Sequence, residues 1–389
     1  EKDSYSVLWL IGIEFVGKLT ESLNKEDAMG VLEGAKKVRR KAEYLLEVAT
    51  LAEAGSYEGT GMLEGVLLMF LVAVSYIAMA LFSEVQATGI LSPKFVLGII
   101  VGSFLLSTGI AIVAVIAGVG GGVLFTPIVL GFTSFDTLLV RATGLVVAMF
   151  SGLISTGPFM RKGLSDIKIV YFCSIPIVVG AIVGAFGAVY LSAYLGPTGD
   201  AIVRLTLGVT LLFIGFMFIF GGSKTEYPKA KRIDRFTQWL GIRGSYWEES
   251  LKKVVNYRPT KGLPGFLLFL LVGFTGGFFG LGGGWAVVPV LNFVMAVPLK
   301  VSAACSGVLL AIGNAAAIWP YILFGALIPL FAAPWMLGQV VGGIIGATIL
   351  ARVKAAFVRY ILIGILFLTS IKLNVRGIEG LFGIDLPIF

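Results

Sequence analysis

The chain has 389 residues, of which 57% are apolar and only 13% charged, with a formal net charge of +8 and a mean hydropathy of +0.97. A soluble domain carries about 25% charged residues, so this composition excludes an ordinary soluble protein and places the chain in a membrane. The absence of histidine removes the commonest metal ligand and the usual proton shuttle, and Cys173 and Cys305, far apart and inside apolar runs, point to packing rather than to a disulfide framework or metal cluster.

Residues 1–61 form a separate region. An apolar stub, VLWLIGIEFVG, precedes a charged stretch in which Met29, Leu32, Ala35, Val38, Ala42, Leu45, Leu46 and Ala49 recur at steps of three and four. That spacing predicts an amphipathic helix, lying on the membrane surface or packed on the bundle. Its KKVRRK cluster suits either anionic lipid headgroups or a solvated face. Residues 62–92 hold an extra N-terminal transmembrane helix and a connector, from the apolar run at 63–83. Further runs of about 20 residues, each able to cross the hydrocarbon as a helix, lie near 95–117, 142–160, 167–195, 200–221, 263–281, 301–323, 327–350 and 355–372. The 52 glycines suit a helical bundle, where small residues let helices approach, better than a barrel. The expected fold is an all-α polytopic membrane protein.

The first unusual element is GVGGGVLFTP, 118–127. It is not a nucleotide loop, because Val123 follows its last glycine where a phosphate loop needs Lys and then Ser/Thr. Farther on, the polar stretch 223–262 carries ten Lys+Arg against four Asp+Glu, which assigns it to the cytoplasmic side, in agreement with the basic loop RKGLSDIK. It divides the hydrophobic part into repeat 1, 93–222, and repeat 2, 263–372, with a tail at 373–389. GLGGGWAVVP at 280–289 matches GVGGGVLFTP without a gap, at an offset of 162. TGLVVAMFSG from Thr143 resembles SGVLLAIGNA from Ser306, and IPIVVGAIVG at 175–184 resembles APWMLGQVVG at 333–342.

Each glycine cluster precedes an apolar piece too short for a comfortable crossing. Counted as two membrane segments, helix plus broken-off piece give five segments per half, an odd number, so the halves are inverted. This count puts Lys300, Arg352, Lys354 and the KKVRRK cluster inside with the basic loop; Arg141, Arg204 and Arg376 fit it less well. Inverted repeats with discontinuous helices place a transporter's site near the midplane.

Glycines in such a run serve close helix packing, or they break a helix and leave amides that need partners where hydrocarbon offers none. Those amides and the positive helix ends suit a small oxyanion without any charged side chain. The candidate site is therefore Gly120, Gly121, Gly122, Gly282, Gly283 and Gly284, with Thr143, Ser306 and Asn314. Thr143 answers Ser306 and Ser151 answers Asn314 in the match. An intramembrane Ser or Thr often bonds only its own turn, whereas an unpaired amide such as Asn314 is costlier. Arg141 either snorkels or helps to recruit anions. No carboxylate lies deep in a run, so coupling to a proton or to sodium has no obvious carrier and stays open, as does the oligomeric state. No acid/base pair, metal cluster or nucleophile points to an enzyme, and nothing calls for a cofactor or for nucleic acid.

At these residues the chain resembles the TauE/SafE family of membrane permeases. The likeness rests on two copies of G-x-G-G-G followed by Pro, on Thr143 and Ser306 at the threonine of a G-T-S-L element whose serine is replaced by Gly144 and Gly307, and on a G-x-x-D element at Gly163 and Asp166. The second copy keeps Gly325 without the acid. The resemblance spans roughly 90–372 and implies export of sulfite, or of an organosulfur anion such as sulfoacetate. A carboxylate, or a channel rather than a carrier, are the alternatives.

Overall fold

The computed structural model describes residues 93–117, 119–161, 163–220, 228, 234–248, 253–350 and 355–383. The amphipathic helix expected in 1–61, the extra transmembrane helix in 62–92, Arg352 and Lys354 lie outside the described residues. The helices are α1 (Pro93–Ala117), α2 (Gly122–Phe132), α3 (Thr137–Arg161), α4 (Ile167–Phe220), α5 (Arg235–Leu240), α6 (Gly262–Phe279), α7 (Gly284–Pro289), α8 (Leu299–Leu323), α9 (Pro329–Leu350) and α10 (Ala355–Phe382). Two paired strands, β1 (Gly244–Glu248) and β2 (Lys253–Tyr257), lie in the polar connector.

Seven of the helices are long and apolar enough to cross a membrane. One of them, α4, crosses twice. At 54 residues it would be about 81 Å long if straight, far beyond the roughly 30 Å of hydrocarbon. It bends at Gly196 (φ 50°, ψ −128°), directly before Pro197. The bend is sharp: Ser192 Oγ lies 3.2 Å from Asp200 Oδ1, although eight residues of straight helix would separate them by about 12 Å. The outward sides of the long helices carry Leu105, Tyr171, Val183, Phe213 and Leu267, all more than half exposed, as expected of surface that meets lipid. The chain is a multi-pass membrane protein.

The short helices α2 and α7 begin where the glycine clusters end. Eleven residues of α2 reach about 16 Å, half the membrane. α7 continues after Pro289 into a π-helical turn, Val290–Val294, closed by the Met295 amide donating to Val290 O (3.0 Å). Each short helix returns to the face from which its preceding long helix came. Thr260, just before α6, donates its amide to Met295 O at the end of the turn (2.9 Å). On the same face, Tyr257 Oη donates to Asp166 Oδ2 (2.8 Å). At the opposite face, Arg376, late in α10, donates to Thr133 O just past α2 (2.7 Å), and Thr137 Oγ1 donates to Asp200 at the α4 elbow.

Glycine stripes set the helix neighbours. A side chain at Gly180 or Gly184 of α4 would collide with the carbonyl oxygens of Leu270 and Phe274 on α6; one at Gly338 or Gly342 of α9 would collide with those of Phe104 and Thr108 on α1. Such direct backbone approach is what small-residue spacing of four provides in a membrane. α4 thus runs parallel to α6, and α9 parallel to α1. The glycines that match between the halves each seat against the first helix of the other half.

The last helix extends ten residues beyond 372, where the sequence places the start of a tail. Polar Lys372 and Arg376 resemble a membrane exit in the sequence. In the structure Leu373 and Val375 beside them are buried, and Arg376 is held against the end of α2.

Candidate functional site

The two glycine breaks lie against each other. Gly280 (φ 69°) ends α6 in left-handed backbone, and Gly120 (φ 81°) and Gly282 (φ 67°), just before the helices restart, take the same conformation, which side chains rarely tolerate. The helices restart one residue later: Gly121 O accepts from the amides of Leu124 and Phe125, and Gly283 O from those of Ala286 and Val287. The amides of Gly122, Val123, Gly284 and Trp285 therefore precede the first complete turns. The breaks cross by a reciprocal contact. A Cβ on Gly122 would stand 2.6 Å from Leu281 O, and one on Gly284 would overlap Val119 O. Since Gly122 matches Gly284 and Val119 matches Leu281, this is one contact made twice with the halves exchanged. Gly284→Ala is expected to cost about 1–3 kcal/mol through this overlap, read as a lower melting temperature, whereas Gly102→Ala, with open space around it, leaves melting unchanged.

The carbonyl end of the second break is capped by side chains. Tyr321 Oη donates to Gly277 O (2.9 Å) and Phe278 O (3.3 Å), and Thr126 Oγ1 donates across to Gly280 O (2.7 Å). Arg141 is fully buried: its Nε donates to Thr137 O (3.1 Å), one terminal nitrogen to Phe278 O (3.4 Å) and the other to Ser192 Oγ (2.7 Å). A cation at the end of α6 suits the negative end of the helix dipole. Arg376 does the same for α2, donating to Leu130 O (3.3 Å) and Thr133 O (2.7 Å). This explains why these arginines fit poorly with a count of loop charges: both are internal caps. Tyr321→Phe is expected to lower stability by about 1 kcal/mol in thermal unfolding, with Tyr171→Phe on the exposed surface as the neutral control.

The expected polar residues divide. Ser151 Oγ accepts from the Gly121 amide (3.1 Å), tying the first break to α3. Thr143 is fully buried and its Oγ1 has no partner. Ser306, its counterpart, is half-buried and donates within its own turn to Ala303 O (2.8 Å). Asn314 is 4% exposed, its Nδ2 has no partner, and it lines a cavity of about 10 Å³ with Gly283, Ala181, Ile177, Gly273 and Leu310. That volume holds about one water. Gly120, Gly121, Gly122, Gly282, Gly284, Thr143, Ser306 and Arg141 do not line it. Gly282 nonetheless packs directly on the Asn314 carboxamide.

Gly163 (φ 63°) and Gly325 (φ 68°) each end a helix in left-handed backbone. Asp166 then caps α4 by accepting from the amides of Lys168 (2.9 Å) and Ile169 (3.3 Å). Among the described residues no cluster of three His, Cys, Asp or Glu comes together to hold a metal.

The model of the family "Sulfite exporter TauE/SafE" matches residues 103–373, which include both glycine breaks and every candidate residue. The chain belongs to the TauE/SafE family. A TauE/SafE relative by similarity is the probable membrane transporter protein YunE of Bacillus subtilis (strain 168), 24% identical over 295 residues, covering 73% of this chain and 97% of that protein. No solved structure matches this TauE/SafE chain. Membership makes it a membrane transport protein, and the glycine breaks lie within the family's matched region.

Proposed function

We propose that the chain exports a small sulfur-containing oxyanion, sulfite above all, by alternating access between two inverted five-segment repeats, 93–222 and 263–372, with 223–262 on the cytoplasmic side. The inverted reading is supported by the direction in which each short helix returns, by the reciprocal contacts of Gly122 with Leu281 and Gly284 with Val119, and by the exchanged glycine stripes. Its side assignment rests on the ten Lys+Arg of the connector.

One observation carries the substrate class: the unpartnered Asn314 Nδ2 beside the crossed helix starts. A buried donor without an acceptor costs about 1–3 kcal/mol, and an oxyanion supplies the acceptor. The helix ends add positive potential without a fixed cation, so the anion is released as readily as it is bound. A cavity of about 10 Å³ is too small for a whole oxyanion, so substrate enters when the halves separate and the present arrangement is the closed one. The family description, sulfite exporter, supports sulfite as the first substrate to test.

The purified chain in liposomes is expected to carry radiolabelled sulfite down an imposed gradient, saturably and beyond protein-free vesicles. Imposed proton and sodium gradients identify the coupling ion. Absence of sulfite flux from folded protein contradicts the sulfite reading. Stronger competition by sulfoacetate or a carboxylate reassigns the substrate, and single-channel currents replace the carrier by a pore.

A further inference from the structure

The two helix breaks match in sequence yet are filled differently, and the difference falls on one pair of positions. In the match of 175–184 with 333–342, Ala181 answers Gln339. Gln339 is 1% exposed, and its Nε2 donates to Ser107 O (3.3 Å) and Ser107 Oγ (3.1 Å). Ser107 Oγ in turn donates to Trp335 O (2.6 Å), so the pair is locked between α1 and α9. The other end of the carboxamide abuts the first break: a Cβ on Gly121 would overlap Gln339 Oε1. That oxygen has no hydrogen-bond partner. It lies where the first turn of α2 begins, the place at which a helix favours an acceptor. Gln339 thus supplies an internal acceptor at the first break.

At Gly283, the match of Gly121, a Cβ would meet only the methyl groups of Val272 and Val287. Gly180 rests on Leu270 as Gly338 rests on Phe104, which puts Gly273 in the place of Ser107. With Ala181 for glutamine and glycine for serine, the space is a cavity, and what faces it is a buried donor, Asn314 Nδ2, without a partner. One break holds an acceptor of its own, and the other holds a donor awaiting one.

We propose that the second break alone is the anion-binding position, that the ligand's first atom enters the cavity beside Asn314, and that the Ala181/Gln339 pair sets this asymmetry by filling the first break from within. The proposal rests on the anion-transport reading above and deepens it. A chain with two inverted halves then carries one anion per cycle.

Crystals of the full chain soaked in bromide test it, because bromide is located by its anomalous signal whatever the transported substrate is. In the unaltered chain one bromide is expected within hydrogen-bonding distance of Asn314 Nδ2 and none beside Gln339. Ala181→Gln removes that peak, and Gln339→Ala adds a second one beside Ser107 and Ser151. Ala181→Val, which fills the cavity with a smaller group, also removes the Asn314 peak and serves if Ala181→Gln does not fold. A peak beside Gln339 in the unaltered chain, no peak beside Asn314, or a peak that persists in both Ala181 variants overturns the proposal. Absence of sulfite flux together with the expected bromide pattern sinks the sulfite substrate and leaves the asymmetric site standing.

Discussion

Arg141→Ala is expected to cost about 3 kcal/mol of stability, more than any other single truncation among the residues near the breaks. The guanidinium is fully buried and engages three elements at once: its own helix start at Thr137 O, the end of α6 at Phe278 O and the α4 elbow at Ser192 Oγ. Removing it leaves a helix-end carbonyl without its cation. It also loosens a network in which Ser192 Oγ and Thr137 Oγ1 both donate to Asp200 Oδ1. Arg141→Lys keeps the charge but reaches only part of the fork, so it recovers less than half of the loss. Thermal unfolding of the purified protein checks both. Equal melting of Arg141→Ala and the unaltered chain would show that the buried cap contributes nothing.

The same residue shows where sequence reasoning stops. The apolar runs from 95 on and the two glycine breaks were legible, because they depend on local composition and on a motif that occurs twice. That the chain must fold back or break at each cluster followed from length alone. What was not legible is how the free ends are satisfied. The argument from unpaired amides applies equally to the carbonyls on the other side of each break, and the donors that meet those of the second break come from Tyr321, Thr126 and Arg141, three positions remote from it in sequence. Arg141 read as a candidate anion contact because its depth in the bundle and its bonding partners are tertiary facts. Thr143 and Ser306 likewise matched by position, yet one is buried without a partner and the other bonds its own turn. The sequence match makes the halves equivalent. Packing makes them unequal, at Gln339 and Ala181.

Asn314 is the residue on which the functional account turns. Leucine has nearly the shape of asparagine, so Asn314→Leu removes the donor without emptying the space. Because the lost group is a buried donor with no partner in the protein, the variant is expected to melt at the same temperature or higher. Transport responds in the opposite sense. A hydrogen bond to a charged ligand contributes about 1.5–3 kcal/mol, which corresponds to a KM for sulfite raised about tenfold to a hundredfold. A damaged fold moves stability and transport together, so the divergence of the two is the signature of a ligand contact. The deciding measurement is sulfite counterflow in liposomes by the unaltered chain and by Asn314→Leu. The account predicts a KM at least about tenfold higher in the variant with undiminished melting temperature. An unchanged KM would contradict the placement of the anion at the second glycine break.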